Sequence, residues 1–191
     1  GVVTLNLPRI ALESGGNKEK FWSLLEERLQ IAKDALVFRI DRCKEATPAN
    51  APILYQYGAF GKRLKRTDAV NELFKNKRAT ISLGYIGLYE VASVFYGGEW
   101  ENNPEAKDFT IDIMKDLKEH ADAWGNEYGY HFSVYSTPSE SLTDRFCRLD
   151  TERFGIVENI TDKDYYTNSF HYDVRKNPTP FEDRKSTRLN S

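Results

Sequence analysis

The chain has 191 residues, 40% apolar and 13% aromatic, a composition that supports one globular domain with a core and excludes wholesale disorder. Its 27 Lys and Arg against 29 Asp and Glu leave a formal net charge of -2, which removes the electrostatic ground for nonspecific binding to DNA or to an anionic membrane. No apolar run approaches the about 20 residues that a membrane helix needs, and two distant cysteines, Cys43 and Cys147, suit neither a disulfide framework nor a zinc knuckle, so a reducing cytoplasm is the expected compartment.

The chain opens on Gly1 and passes directly into Val2-Val3-Thr4-Leu5-Asn6-Leu7-Pro8, an opening that reads as the interior of a longer protein. Val3, Leu5 and Leu7 alternate with Thr4 and Asn6, the period-2 pattern of a half-buried strand, ended by Pro8. Asn6 therefore points away from the apolar layer. Asn17 caps a long helix whose apolar positions Phe21, Leu24, Leu25, Leu29, Ala32, Leu36 and Ile40 recur at helical spacing to about Lys44. Thr47-Pro48 and Pro52 break that pattern. Residues 55–61 read as a turn of helix running into a glycine-rich loop, and a short helix is expected from Asp68 to Phe74.

Ala79 to Leu83 alternates as a second strand, with a turn at Gly84-Tyr85-Ile86-Gly87 and a helix from Leu88 to Phe95. Asn103-Pro104 starts the next helix, carrying Phe109, Ile113, Leu117 and Ala121 and ending near Gly125 or Gly129. A third strand covers His131 to Tyr135, and a helix bearing Leu142, Phe146 and Leu149 follows. Residues 165–173 are aromatic-rich. Residues 183–191 are polar, lack periodicity and resemble a translated sequencing adapter, so the genuine domain is taken as 1–182. Strands alternating with helices give an α/β class, although three or four strands are too few to close a barrel.

The chemistry-bearing feature is the junction Ser136-Thr137-Pro138-Ser139-Glu140-Ser141. Thr137 suits an N-cap, Pro138 the first helical position, and Glu140 the far corner of a capping box. Backbone N–H groups at such a helix start, with the positive end of the helix dipole, bind phosphate oxygens. The alternative is a well-capped helix end and nothing more. Both cysteines sit in helical apolar patterns and are expected to be buried and inert. His120, His131 and His171 lack ligand spacing, and no metal site is expected among these residues. Residues 165–172 suit a base or ribose pocket, although aromatic runs of this sort more often form core or interface.

Five strings, in order, resemble the anaerobic ribonucleoside-triphosphate reductases. They are residues 1–11, GVVTLNLPRIA; 81–88, ISLGYIGL; 132–141, FSVYSTPSES; 144–146, DRF; and 165–171, YYTNSFH. The resemblance implies part of a ten-stranded α/β barrel in which a cysteine thiyl radical takes the ribose 3′ hydrogen. It implies a glycyl radical installed by a separate iron–sulfur, S-adenosylmethionine-dependent activating enzyme, formate as reductant, ATP and deoxynucleotide effectors, and a homodimer. The radical cysteine of the family falls before Gly1, and its glycyl-radical loop and zinc-binding cysteines fall after Glu182, so this stretch is expected to be inactive alone. Thr137 to Ser141 match the loop that receives the substrate's phosphates. Asn6 matches the asparagine presented near the ribose, where an amide orients a hydroxyl or formate without titrating; a structural amide is the equal alternative. Two other readings stand beside this one: a glycyl-radical enzyme of the pyruvate formate-lyase type, and a non-enzymatic nucleotide-binding module.

Overall fold

The computed structural model describes residues 1–74, 78–168 and 175. Three strands, β1 (Val2–Asn6), β2 (Thr80–Ile86) and β3 (His131–Ser136), form a parallel sheet in the order β1-β2-β3. Their connections carry the helices α1 (Leu7–Ser14), α2 (Lys18–Lys44), the single turn α3 (Pro52–Tyr55), α4 (Leu88–Tyr96) and α5 (Pro104–Tyr128); α6 (Glu140–Phe154) follows β3. The expected α/β class is observed, as an open parallel sheet. Among the described residues no helix is long and apolar enough to cross a membrane.

Alternation along the strands divides the sheet into two unlike faces. Leu5, Ile81, Leu83, Tyr85 and Phe132 are buried in the main core, with Val3 and Val134 packed against it. The other parity carries small or polar residues at its centre, Thr4, Asn6, Ser82, Gly84 and Ser133, with Val2, His131, Tyr135 and the buried Ile86 toward the strand ends. The apolar face is roofed by α2 and α5. Helix α2 buries Phe21, Leu25, Leu29, Ala32, Leu36 and Ile40, a stripe at helical spacing that is capped by the Asn17 side chain accepting from the Lys20 N–H. Helix α5 adds Phe109, Ile113, Leu117, Ala121 and Trp124, starts after the Asn103 cap and stops at Gly129 in the left-handed region. Phe21 sits among Trp22, Phe95 and Phe109 with ring centroids 5.5–5.6 Å away. Fully burying one such side chain contributes roughly 1.5–3 kcal/mol, so these two stripes dominate the stability of the fold.

Several boundaries differ from the sequence reading; the turn of helix expected within 55–61 lies at Pro52–Tyr55, with Pro52 at its first position. Leu7 does not continue β1: Leu7–Ser14 is helical, because the Asn6 side chain accepts the Arg9 N–H as an N-cap and Pro8 falls where no backbone donor is needed. Its buried positions Leu7, Ile10, Ala11 and Ser14 are spaced as a helix stripe. Strand β2 runs straight through Gly84 to Ile86 and turns only at Gly87, φ +80°. The helix foreseen from Asp68 to Phe74 is a 3-10 turn, Val70–Leu73.

Candidate functional site

Because all three strands are parallel, they end on one edge of the sheet, and each end turns into a helix: Asn6 into α1, Gly87 into α4, and Ser136 into α6 by way of residues 137–139. In open parallel sheets the crevice outside this carboxyl edge is where ligands bind. Asn6 and the Ser136–Ser141 junction, picked from the sequence separately, both lie there.

The junction is built differently from the expected capping box. Helix α6 begins at Glu140, with Ser139 as N-cap and no side-chain cap bond; Pro138 lies outside it. Thr137 is not a cap. It is buried, its N–H donates to the Tyr85 carbonyl at 3.3 Å, and its hydroxyl meets the Thr4 hydroxyl at 3.0 Å. That bond crosses over Gly84, where a Cβ would come within 2.4 Å of the Thr137 oxygen and 2.6 Å of the Thr4 oxygen. Glycine is required there by close approach rather than by a turn. Ser136 hydrogen-bonds through its side chain with the Tyr85 phenol, whose pKa is raised by burial and partly lowered by that bond. The first two junction residues therefore clamp the loop to the sheet.

Beyond the clamp, the Ser139 and Ser141 hydroxyl oxygens lie 3.4 Å apart, with Ser141 exposed. The amides of Leu142 and Thr143 already donate to the Ser139 carbonyl; those of Glu140 and Ser141, at the first two helical positions, have no intrahelical acceptor. The exposed Glu140 carboxylate stands beside them.

Asn6 is held by a buried carboxylate. Its Nδ2 donates to Asp150 Oδ2 at 3.0 Å, while the Arg9 guanidinium donates to Oδ1 at 2.5 Å and the Tyr166 phenol to Oδ2 at 2.7 Å. Asp150 is completely buried. Burial, with the Asp150 carboxylate beside it, pushes the Tyr166 phenol well above its ordinary pKa, so it remains a donor. Asn6 and Arg9 also line a cleft along β1 with Thr4, Arg28, Ile31 and Ala35.

A second buried polar group closes the edge above β2. Glu90, in the first turn of α4, forms an ion pair with Lys163, and both side chains are wholly buried. The same Glu90 oxygen accepts from the Thr167 N–H at 3.0 Å and the Thr167 hydroxyl at 2.7 Å. Lys163 also lies over the Tyr89 ring, 4.9 Å from its centroid. The Thr167 carbonyl accepts the Gly87 N–H. Residues 163–167 are thus stitched across the start of α4.

Tyr166, from the aromatic stretch singled out in the sequence, is a buried core residue bonded to Asp150; Asp150, Arg9, Glu90, Lys163 and Thr4 were not picked as site residues. One signal was available: Thr143, Cys147 and Asp150 are the buried positions of α6, at helical spacing, whereas Leu142, Phe146 and Leu149 are only partly buried. The thiols divide. Cys147 is buried and its pKa rises to about 11, chiefly through desolvation, while Cys43 is exposed, contrary to the burial expected of it. His120 packs against Trp124 and bonds Glu26, and His131 is exposed; His171, with Ser169, Phe170 and Tyr172 of the aromatic stretch, lies outside the described residues, as does 183–191. Among the described residues no three His, Cys, Asp or Glu side chains converge as metal ligands.

The family model described as anaerobic ribonucleoside-triphosphate reductase matches residues 1–187. The chain is 53% identical over 183 residues to the anaerobic ribonucleoside-triphosphate reductase of Salmonella typhimurium, covering 95% of this chain and 26% of that protein. It is 48% identical over 186 residues to the enzyme of the same name from Enterobacteria phage T4, covering 95% and 29%. Among solved structures, the anaerobic ribonucleotide reductase from Thermotoga maritima in complex with dATP and CTP superposes with a TM-score of 0.63 at 29% identity, covering 88% of this chain and 26% of that one. The chain thus spans about a quarter of the length of the curated relatives it matches.

Proposed function

Because this chain belongs to the anaerobic ribonucleoside-triphosphate reductase family, we propose that it forms the part of such an enzyme that seats the substrate's phosphates and orients its ribose. The observation that carries this reading is the meeting of two separate segments on one edge: Asn6 at the end of β1 and the 136–141 junction at the end of β3, both at the carboxyl ends of parallel strands. The substrate class is a ribonucleoside triphosphate. The amides of Glu140 and Ser141 with the Ser139 and Ser141 hydroxyls would receive phosphate oxygens, aided by the helix dipole of α6. Ser136 and Thr137 hold the loop on the sheet, and Pro138, exposed and outside the helix, stiffens the turn between them. The Glu140 carboxylate, exposed beside the seat, repels a phosphate unless it turns outward to solvent. Asn6 would donate to a ribose hydroxyl or to formate, fixing orientation without exchanging a proton.

The remaining parts of the reading follow the family. The three strands would be consecutive strands of a ten-stranded barrel, with the polar parity of the sheet facing its interior. A glycyl radical, installed by the iron–sulfur activating enzyme, supplies hydrogen abstraction through a cysteine, with formate as reductant. Neither Cys43 nor Cys147 is assigned to that work: Cys147 is buried with a raised pKa, and Cys43 lies at the end of α2. No cluster among the described residues suits zinc; the zinc-binding cysteines would follow Glu182. Regulation by ATP and deoxynucleotides, a homodimer and a cytoplasmic location complete the proposal.

Hydrogen exchange in the full-length reductase tests it. A bound ribonucleoside triphosphate should slow exchange of the Ser139–Leu142 amides. Unchanged exchange there, with protection at some other cleft, would remove the phosphate seat from the junction and favour a non-nucleotide substrate of the pyruvate formate-lyase kind.

A further inference from the structure

We propose that Asp150 is the positioning residue for Asn6, fixing which way its amide faces and so making the ribose contact specific. The inference rests on the ribose reading of Asn6 given above and extends it to a residue 144 positions away in the sequence but hydrogen-bonded to Asn6 in space.

The amide of Asn6 has two ends and the surroundings treat them differently. Its Oδ1 accepts the Arg9 N–H at 3.2 Å, and its Nδ2 donates to Asp150 Oδ2 at 3.0 Å. Turning the amide over would set its oxygen against a buried carboxylate oxygen, acceptor facing acceptor, and its NH2 against the Arg9 N–H. Both contacts are repulsive. The carboxylate therefore selects one orientation and leaves one Nδ2 hydrogen as the free donor.

The carboxylate itself cannot swing. Arg9 Nε and Nη2 both reach Oδ1, Tyr166 donates to Oδ2 beside Asn6, and Asp150 is fully buried. Arg9 reaches only Oδ1, so the buried Oδ2 is satisfied by the Tyr166 phenol and the Asn6 amide together, and compensating the charge and orienting the amide are one arrangement. Asp150 also sits nine residues after Ser141 on α6, about 14 Å along the axis at helical rise. One rigid helix thus carries the phosphate-seat amides at its start and the residue that aims Asn6 further along, so the two subsites are held in fixed register.

The test uses equilibrium binding to the full-length reductase without radical activation, with dATP saturating the effector site. The probes are a ribonucleoside triphosphate, its 2′,3′-dideoxy counterpart and inorganic tripolyphosphate. Asp150→Asn should shrink the preference for the ribonucleotide over the dideoxy compound about five-fold, the value of one hydrogen bond, and leave tripolyphosphate affinity unchanged. Asn6→Ala should shrink it equally, and adding Asp150→Asn to Asn6→Ala should do nothing more. A preference lost in Asn6→Ala and kept in Asp150→Asn overturns the inference alone. Equal weakening of all three probes, or additive losses in the double variant, also overturns it, since both describe general structural damage. A preference untouched by Asn6→Ala removes the ribose reading, and the inference with it. Should Asp150→Asn not fold, Tyr166→Phe keeps the ring packed and frees Oδ2 to rotate; it should give a smaller loss, again absent in the Asn6→Ala background, and an unchanged preference there counts against the proposal.

Discussion

The two sides of this sheet are stabilised in opposite ways. Under the sheet, α2 and α5 present apolar stripes whose members touch many partners, and the aromatic group around Phe21 is built from edge-to-face contacts. At the carboxyl edge, the buried groups are Asp150, Glu90, Lys163, Thr137 and Thr167, each bonded to a few named partners, although Glu90 Oε2 meets no hydrogen-bond partner among the described residues. Apolar packing is graded, and removing a methyl group costs in proportion to the area lost. A buried charge is all or nothing, because its partner's removal leaves an uncompensated ion in low dielectric. Precision at the edge is therefore bought with fragility.

The largest effect should come from breaking the polar side. Lys163→Met keeps the aliphatic bulk against Tyr89 but strands the Glu90 carboxylate, with only the Thr167 donors left. Chemical denaturation should show a loss of about 3–5 kcal/mol. Adding Glu90→Met should recover most of it, since two apolar side chains replace the pair at similar volume. If the single variant costs no more than the double, the pair is not an all-or-nothing element and the contrast between the two sides fails.

The apolar side should answer more gently to a change of similar burial. Ile113 is fully buried on α5, and Ile113→Val removes one methylene, for an expected loss of about 1 kcal/mol by the same denaturation measurement. A loss as large as that of Lys163→Met would mean that the core too is narrowly fitted, and that polarity is not what separates the regions.

This contrast also decides what the sequence could show. The stripes of α2 and α5, with their Asn17 and Asn103 caps, were legible because a core helix repeats its signal at every turn. Asn6 and the 136–141 junction were legible as residue types, but not their partners, because Asn6 to Asp150 and Thr4 to Thr137 join positions 144 and 133 residues apart. The missed helix α1 has a similar cause: alternation at Val3, Leu5 and Leu7 continues smoothly into a stripe at Leu7, Ile10, Ala11 and Ser14, and Leu7 fits both periods. Gly84 reads as a turn residue on its own, and only the threonines arriving from β1 and from the end of β3 reveal it as a point of close approach.

The smallest effect, none at neutral pH, falls on Cys147, which sits where the regions meet. Its thiol is buried beside Ile86, Ile160 and Tyr166, and the Sγ–H donates to the Thr161 carbonyl at 3.7 Å. Burial raises its pKa from 9.0 to about 11, with Glu90 and Asp150 adding in the same direction and Thr151 and Lys163 opposing. An acid whose folded pKa is raised keeps its full contribution below the unfolded value, where both states hold the proton. Above pH 9 the unfolded chain releases that proton first, so stability is lost progressively until the folded thiol ionises near pH 11. Tyrosines titrate across the same range, so the informative quantity is a difference: between pH 8 and 11 the unfolding free energy of wild type should fall more steeply than that of Cys147→Ala. In the same pH range an alkylating reagent should modify the exposed Cys43 well before Cys147. Parallel pH slopes, together with equal alkylation of the two thiols, would show Cys147 to be open to water, and the edge above α6 would then belong with the solvated surface rather than with the buried polar side.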